Sequence, residues 1–288
     1  MKRLISLCAA GAIAGGALLL GQQIPQPRKQ FGAGVTAAFE GWFDVKDAGQ
    51  RFLVGYFNRN TQEELEIPIG PNNDIEPGGP DMGQPTHFLP GRQWGMFMVP
   101  VPKNFKPQDK LTWTLTANGQ ITSIPLRLNP DYNISPFSEI SVGNTPPVIR
   151  FEENGTAIQG PIAMLATAPS RTASLSDPLA LTLWVTDDMK FTSGTGQPLA
   201  GSPPPVALTW SKYRGPGKVT FDKVRPTVEK LPATDDKMPF SGKATTNVKF
   251  SEAGDYVLHV TANDYSGVGG GGFQWCWTTG LVKVSVKP

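Results

Sequence analysis

The chain has 288 residues, of which 39% are hydrophobic and 17% are charged, and its formal net charge is +2. Its 26 basic and 24 acidic residues are spread along the chain, so no Lys/Arg stripe can neutralise several phosphates, and nucleic acid is a poor candidate partner. The 32 glycines and 28 prolines, together with many Thr, Val, Phe and Trp residues, favour short strands and turns over long helices.

The first predicted element is an export segment. Lys2 and Arg3 precede an uncharged apolar stretch from Leu4 to Gly21, which is the pattern of a secretory signal. The stretch is also at the low end of the length that crosses a bilayer, so residues 1–21 are either a signal peptide that is removed or a membrane anchor formed by residues 4–21. Residues 22–34 follow as a polar, proline-containing linker. Either alternative predicts an exported protein that is secreted, periplasmic or located at the cell surface.

Residues 35–143 are predicted to form a sandwich-like β domain, because apolar and polar residues alternate repeatedly there. Strands are predicted for the segments RFLVGYFNR, ELEIPIG, WGMFMVPV, LTWTLTA and QITSIPLRL. The first two segments are separated by Asn58-Arg59-Asn60-Thr61, which has the chemistry of a hairpin turn. The stretch from Gly70 to Pro85 is predicted to be a loop without regular structure, since it is rich in Gly, Pro and Asn.

The segment Asn144-Thr145-Pro146-Pro147 interrupts this pattern and predicts the entry to a second domain, residues 144–288. Alternation resumes beyond it. The side chains predicted to face the core of the best-defined strand are Tyr256, Leu258 and Val260, and those predicted to point outward are Val257, His259 and Thr261. Gly254-x-Tyr256-x-Leu258 has the spacing of a tyrosine corner, and Trp210 lies on the strand that carries the central tryptophan of an immunoglobulin-like domain.

A family resemblance rests on several motifs in this second region. In chain order they are Trp210-Ser211-Lys212, Gly215-Pro216-Gly217, Val219-Thr220-Phe221, Phe250-Ser251, Ala253-Gly254-Asp255-Tyr256-Val257-Leu258 and Asn263-Asp264. Over about residues 144–288 they resemble the PKD-like domains of bacterial surface and secreted proteins. The resemblance implies a seven-stranded sandwich without enzymatic activity, usually an adhesive, spacer or accessory module. The chain departs from that pattern by a longer tract between Phe221 and Ala244 and by a Gly-rich insertion near its end.

The predicted fold class is therefore all-β, with two tandem immunoglobulin-like antiparallel β-sandwich domains after an N-terminal hydrophobic signal or anchor helix. No catalytic motif accompanies this fold. The sequence contains no HExxH, no GxSxG and no Cys/His cluster with zinc spacing, and the glycine run Gly269–Gly272 is not followed by Lys-Ser/Thr. Carboxylate neighbours such as Glu63 and Glu64 point to opposite faces of a strand. The chain is accordingly predicted not to be an enzyme.

Calcium is the one metal that the sequence suggests. Asp187-Asp188 and Asn263-Asp264 each follow a predicted strand, and in a sandwich of this topology both loops emerge at the pole where the interdomain linker enters. Hard oxygen ligands that converge there could bind calcium and stiffen the tandem. The alternative is that these residues are ordinary turn formers.

A second candidate site lies in the segment from Phe273 to Trp277. Phe273, Trp275 and Trp277 adjoin the glycine run and could form a patch that stacks on sugars or binds protein, or they could cover the open end of the core. Cys276 lies among them. Because Cys8 belongs to the export segment, Cys276 is predicted to be the one thiol of the mature chain, either buried or available for pairing between chains.

These observations together predict an exported, non-catalytic binding or spacer protein whose ligand is a protein or a carbohydrate. Two alternatives stay open: a carbohydrate-active enzyme or its accessory module, and a structural component of the cell envelope. Contact with a membrane is predicted only through the N-terminal segment.

Overall fold

The computed structural model describes residues 28–138, 143–190, 205–233, 235–264 and 276–288. The predicted export segment and most of the predicted linker lie outside these ranges. The described chain consists of β-strands and connecting segments, with short 3-10 turns at Pro130–Tyr132 and Leu165–Thr167. Within the same ranges, no helix has both the length and the apolar character needed to cross a membrane.

The first half of the chain contains two three-stranded sheets and a short two-stranded sheet. Its strands are β1 (Val35–Val45), β2 (Gly49–Asn58), β3 (Leu65–Glu66), β4 (Asn73–Glu76), β5 (His87–Phe88), β6 (Gly91–Pro100), β7 (Leu111–Ala117) and β8 (Gln120–Leu126). The sheet orders are β1-β2-β6, β4-β7-β8 and β3-β5, and all pairs are antiparallel. Alternate residues of β2 and β7 fill the space between the sheets, among them Phe52, Val54, Tyr56, Trp113 and Leu115, which are fully buried.

The second half forms an immunoglobulin-like β-sandwich. Its strands are β9 (Val148–Arg150), β10 (Ile158–Gln159), β11 (Ser170–Ser174), β12 (Leu179–Asp187), β13 (Ala207–Arg214), β14 (Val219–Phe221), β15 (Glu229–Leu231), β16 (Phe240–Phe250), β17 (Gly254–Asn263) and β18 (Trp277–Lys287). One sheet has the order β10-β9-β12-β16-β14, with β15 also paired to β16, and the other has the order β11-β18-β17-β13. β11 runs parallel to β18, whereas the other pairs are antiparallel.

The core of this sandwich confirms the alternation read from the sequence. Tyr256, Leu258 and Val260 are buried in one cluster with Trp210, whose indole lies near the rings of Phe151 and Phe221 at centroid distances of 6.4 and 6.3 Å. The Tyr256 hydroxyl donates a hydrogen bond to the Glu252 carbonyl (2.9 Å) and accepts one from the Gly217 amide (3.0 Å). This is the tyrosine corner that the spacing predicts.

The prediction of an unstructured loop from Gly70 to Pro85 is wrong, because this stretch contains β4. Ile75 pairs with Trp113 of β7 and is fully buried. The side chain of the neighbouring Asn73 gives two backbone carbonyls the donor that a paired strand would otherwise supply. Its amide nitrogen donates hydrogen bonds to the carbonyls of Ile67 (2.9 Å) and Pro85 (2.8 Å). Only two apolar side chains, those of Ile75 and Met82, lie among these glycines and prolines, which is too weak an alternation to reveal a strand, and only the pairing with β7 shows it.

The predicted hairpin after Asn58 is also wrong. β2 pairs with β1 and β6, whereas β3 is shorter than predicted and pairs with β5. The side chain of Asn60 accepts a hydrogen bond from the Ala33 amide (2.7 Å) and donates one to the Ala33 carbonyl (2.8 Å). The side chain of Asn58 donates to the Phe88 carbonyl (3.1 Å). These polar residues fasten neighbouring segments to β2 instead of reversing the chain.

The outward face of the sheet β11-β18-β17-β13 differs most from the prediction, because side chains that were expected to point outward are buried or half-buried there. His259 points away from the sandwich core, as predicted, but it is only 2% exposed. The reason is that the first half of the chain covers this face: Tyr213 and Leu281 belong to the hydrophobic cluster of the first half, and Val257 packs against that cluster.

Candidate functional site

The contact between the two halves, here called the junction, is built around three consecutive residues of β13. The register of β13 against β17 shifts between Lys212 and Arg214, and such a bulge re-aims the side chains beside it. Lys212, Tyr213 and Arg214 all reach the first half. The Tyr213 hydroxyl donates to the Gly83 carbonyl, and the Thr86 amide donates to the Tyr213 carbonyl (3.2 Å).

Lys212 enters a charged network at one side of the junction. Its ammonium lies 2.6 Å from a carboxylate oxygen of Glu66, and the same oxygen lies 2.8 Å from Nδ1 of His87. Glu64 approaches the other imidazole nitrogen at 3.4 Å. Although burial raises the pKa of Glu66, hydrogen bonds from His87 and Lys212 outweigh it and hold that pKa below its usual value. The Lys212 ammonium and the Glu66 carboxylate therefore each face a charge of opposite sign.

Arg214 makes a second ion pair at the junction. Its two terminal nitrogens contact the two carboxylate oxygens of Asp81 at 2.9 and 2.8 Å, and Nε donates to the Gln84 carbonyl at 2.9 Å. This bidentate geometry is the strong form of an arginine–carboxylate pair. The Arg214 hydrogen bond lowers the pKa of Asp81 below its usual value.

Between these ion pairs the junction is apolar. The rings of Tyr213 and His259 stack with centroids 5.9 Å apart and an angle of 19° between their planes. Burial lowers the pKa of His259 to about 4 and raises the pKa of Tyr213, so both rings are neutral at neutral pH. Nε2 of His259 is buried and has no hydrogen-bond partner among the described residues. The junction therefore excludes water from a titratable group that no charge compensates.

Trp277 closes the junction next to β6. It is 2% exposed, and a Cβ atom added to Gly95 would lie 2.7 Å from its indole, so the ring packs directly on the β6 backbone. A sugar-stacking surface requires an exposed ring face, and Trp277 does not offer one. The other two members of the predicted aromatic patch, Phe273 and Trp275, lie outside the described residues.

The predicted calcium ligands do converge at one end of the sandwich, together with the linker. This region, here called the pole, consists of Asn144, Thr145, Asp187, Asp188 and Asp264. The Asn144 side-chain amide donates to a carboxylate oxygen of Asp264 (2.7 Å), and the backbone amide and hydroxyl of Thr145 donate to one oxygen of Asp188 (3.1 and 2.9 Å). The sequence identified the aspartates but not Asn144 and Thr145, two adjacent linker residues that donate hydrogen bonds to Asp264 and Asp188 respectively. The fourth predicted ligand, Asn263, is buried at the end of β17.

Asp187 is the least compensated group of the pole. It is 1% exposed, and one carboxylate oxygen accepts a hydrogen bond from the Met189 amide (2.8 Å). Its other oxygen is buried and, within the described chain, lacks a hydrogen-bond partner, as does the side-chain oxygen of Asn144. Burial, and after it the negative charges of Asp264 and Asp188, raise the pKa of Asp187 to about 7.

The aspartates of the pole do not form a ready-made metal site. Among the described residues, no three His, Cys, Asp or Glu side chains are grouped closely enough to hold a metal ion. The pole therefore combines three carboxylates, of which Asp188 has the Lys190 ammonium at 3.9 Å, with two buried oxygens that lack a donor among the described residues. Chemically it can accept either a proton or a hard cation.

Cys276 lies beside the pole and is fully buried, with its thiol 3.7 Å from the Asn144 carbonyl oxygen. Of the two roles that the sequence left open, the structure supports the buried one. A thiol without solvent exposure cannot approach a second chain unless the pole opens first.

Comparisons with known proteins identify no family for this chain. No protein-family model matches the sequence, and no curated protein matches it. Similar solved structures include the cadherin-like domains 1 to 4 of zebrafish RET, with 12% identity and a TM-score of 0.29 over 79% of this chain and 46% of that one. The titin Ig tandem domains A164-A165 match with 10% identity and a TM-score of 0.23 over 88% and 98% of the two chains.

A protein of unknown function from Porphyromonas gingivalis W83 matches with 11% identity and a TM-score of 0.22, over 88% of this chain and 100% of that one. The chain spans less than half of the RET structure. Identities and TM-scores this low transfer no property from these proteins, so the functional proposals below rest on the residues of this chain.

Proposed function

We propose that this chain is an exported, non-catalytic binding or spacer protein in which two tandem immunoglobulin-like domains, residues 35–143 and 144–288, act as one stiff body. The observation that carries the proposal is the junction: Lys212, Tyr213 and Arg214 each bond to the first half. A face that is fastened by two ion pairs and a buried aromatic stack resists hinge motion more than a short polar contact does. A stiff tandem holds a binding surface at a fixed distance and angle from its point of attachment.

The roles of the charged side chains support a non-catalytic protein. Glu66 pairs with Lys212 and also contacts Nδ1 of His87, and Asp81 pairs with Arg214. A third pair, Glu40 with Arg92, is fixed within the first half by contacts of 2.9 Å to Arg92 and to the Gly95 amide. Groups that are held in this way have structural tasks, whereas catalysis needs an acid, a base or a nucleophile that is aimed at a substrate.

The stiffness is tested by small-angle X-ray scattering on the exported chain and on the double variant Lys212→Ala/Arg214→Ala. We expect the unaltered chain to scatter as a single compact particle and the variant to show a larger radius of gyration with a broader distance distribution. A variant altered on the open face of the sandwich, Thr245→Ala, serves as the control and keeps the scattering of the unaltered chain. Scattering from the unaltered chain that requires an ensemble of interdomain angles would contradict the proposal.

Two experiments distinguish the proposed function from its alternatives, one by catalytic activity and one by cellular location. A hydrolysis assay on the same glycans that are used for binding distinguishes a carbohydrate-active enzyme, which turns its ligand over, from a binding module, which retains it unchanged. Cell fractionation followed by crosslinking distinguishes a structural envelope component, which is recovered in a stable assembly, from a ligand-binding protein.

A second proposal concerns the pole, where we expect one calcium ion to bind. Asp187, Asp188 and Asp264 would supply carboxylate oxygens, and Asn144 would supply its amide oxygen. The supporting observation is that Asp187 and Asn144, both 1% exposed, each bury an oxygen that has no donor among the described residues. Calcium prefers such oxygen ligands, and its charge would offset the burial and, after it, the repulsion by Asp264 and Asp188 that together raise the pKa of Asp187. Binding would draw the three carboxylates closer together than they are in this structure.

Isothermal titration of calcium chloride into the exported chain, with melting temperature as a second readout, tests this proposal. We expect saturable heat and a rise in melting temperature at pH 8, and neither effect in Asp187→Asn. The matched control is Asp177→Asn, an exposed aspartate in the turn between β11 and β12, which should respond to calcium as the unaltered chain does. Absence of heat and of any thermal shift in the unaltered chain leaves protonation as the way in which the pole is neutralised.

A further inference from the structure

The two outer faces of the second sandwich differ. The first half covers the sheet that contains β17 and β18, whereas the face of β9, β12 and β16 carries a groove with a volume of about 820 Å³. Trp184 lies on the floor of this groove. Its neighbours in β12, Leu183 and Val185, are fully buried in the core, so alternation places the half-buried Trp184 on the opposite, outer face.

Cross-strand pairing surrounds Trp184 with long polar side chains. It lies opposite Arg150 of β9 on one side and Lys243 of β16 on the other, and Lys243 in turn lies opposite Glu229 of β15. Such directly opposed residues have their Cβ atoms within about 5.5 Å of one another. The row therefore presents one indole between two cations, with a carboxylate at its end.

The rest of the groove is lined partly by apolar side chains, among them Leu231 and Met238, and partly by groups that form hydrogen bonds. One side is contributed by Glu153 and Asn154, and the other by Asp235 in the segment after β15. Hydroxyls of Thr186 and Ser241, which are opposed across β12 and β16, lie on the floor beside Trp184. The lining thus combines one aromatic ring and apolar side chains with hydrogen-bond donors and hydrogen-bond acceptors.

This composition distinguishes among classes of ligand. An added peptide strand would need a free sheet edge, but β12 is already paired with β9 and β16 along the groove. A polyanion would need an excess of positive charge, whereas the two cations Arg150 and Lys243 are outnumbered by three carboxylates, those of Glu153, Glu229 and Asp235. A neutral sugar offers an apolar C–H face that packs on an aromatic ring and hydroxyls that bond to amide, carboxylate and guanidinium groups. A groove of this volume also lies within the range of small-molecule binding sites.

We infer that the groove around Trp184 binds a neutral oligosaccharide, with one sugar ring stacked on the indole and its hydroxyls bonded to the polar groups that flank it. This inference rests on the proposed function as a binding protein, and it supplies the class of ligand. The strand pairing of β9, β12 and β16 fixes the floor before the sugar arrives, so little ordering of the protein accompanies binding.

The test screens the exported chain against an array of neutral oligosaccharides, with cellohexaose, chitohexaose and a hexa-uronate included as defined probes. Isothermal titration then measures the best neutral binder on the variants. We expect Trp184→Ala to weaken binding at least about tenfold, which is about 1.4 kcal/mol. Thr245→Ala, on the same outer face outside the groove, and Trp94→Ala, which removes a half-buried indole from the first half, should each bind as the unaltered chain does.

Circular dichroism and melting temperature establish that Trp184→Ala is folded, and Trp184→Phe provides a second variant that keeps a stacking ring and should retain part of the affinity. The inference is overturned if no neutral oligosaccharide binds, if the hexa-uronate binds more tightly than the neutral probes, or if a folded Trp184→Ala binds as well as the unaltered chain. If a folded Trp184→Ala still binds the oligosaccharide, the groove is excluded as the binding site, but the proposed function as a binding protein stands. Release of shorter sugars from the probes would instead contradict the non-catalytic function.

Discussion

The junction and the pole both contain charged groups, but they compensate them in opposite ways. At the junction, Lys212 meets Glu66 and Arg214 meets Asp81, so each charge has a partner of opposite sign. At the pole, three aspartates lie close enough for two of them to raise the pKa of the third. Removing a junction partner leaves a charge behind, whereas neutralising a pole aspartate relieves a repulsion. The two regions are therefore expected to give opposite signs for the effects of mutation.

The two regions also respond to pH in opposite directions. His259 has a folded pKa of about 4, below its ordinary value of 6.5, so the stability that it contributes is present above pH 6.5 and is lost as the pH falls toward 4. Asp187 has a folded pKa of about 7, above its ordinary value of 3.8, so its contribution is present below pH 3.8 and is lost as the pH rises through 7. Acid loosens the junction, and mild alkali loosens the pole.

The largest effect is expected from Tyr213→Ala at the junction. The substitution removes a fully buried ring, its stack on His259 and its bond to Gly83, and we expect it to lower the free energy of unfolding by about 3–5 kcal/mol. Urea denaturation measures this change. Tyr213→Phe is the matched control, because it keeps the ring and loses only the hydroxyl, for about 1 kcal/mol. If Tyr213→Ala lowers the free energy of unfolding by less than Tyr213→Phe does, the junction does not stabilise the protein.

The second prediction concerns acid. Between pH 7 and pH 4 we expect the unaltered chain to lose about 2–3 kcal/mol more stability than His259→Phe, since protonating the buried imidazole is no longer required in the variant. Urea midpoints at both pH values, with equal salt, measure the difference. Equal pH dependence in the unaltered chain and His259→Phe would contradict the assignment.

The third prediction has the opposite sign and concerns the pole. In the absence of calcium, Asp187→Asn should raise the free energy of unfolding at pH 8 by about 1–2 kcal/mol, because the amide has nearly the shape of the carboxylate and carries no charge. At pH 4 the gain should vanish, since Asp187 is then protonated. The same urea experiment measures both values. A destabilised variant at pH 8 would mean that the carboxylate is already compensated.

The smallest effect is expected from Thr145→Val. The hydroxyl bond to Asp188 is lost while the backbone amide bond to the same oxygen remains, so we expect a loss of about 1 kcal/mol. Thr182→Val is the control: its hydroxyl contacts that of Thr245 on the solvent-facing side of the sheet, and its loss should lie within about 0.5 kcal/mol. Equal effects of the two substitutions would argue that the linker is not fastened to the pole.

The sequence predicted the sandwich core well because local chemistry encodes it. Alternation along a strand reports which side chains avoid water, and it placed Tyr256, Leu258 and Trp210 inside together. The pairing of Asp187-Asp188 with Asp264 was also within reach, because loops that follow strands of known order meet at one pole. Asn144 and Thr145 were predicted only as a linker, since hydrogen bonds that span 120 and 43 residues leave no local signal.

What the sequence determined alone was therefore the all-β class, the two regions of alternation and, in the strands that it identified, the face that avoids water. Only the tertiary structure decided whether the outward face of each sheet is covered by other parts of the chain or left open. Tyr213 and His259 became buried because the first half covers them, while Trp184, on an equally outward position, lines a groove. The physical reason is that period-2 alternation separates the two sides of one sheet but does not say what lies beyond either side. That depends on contacts such as Arg214 with Asp81, which join residues far apart in the chain.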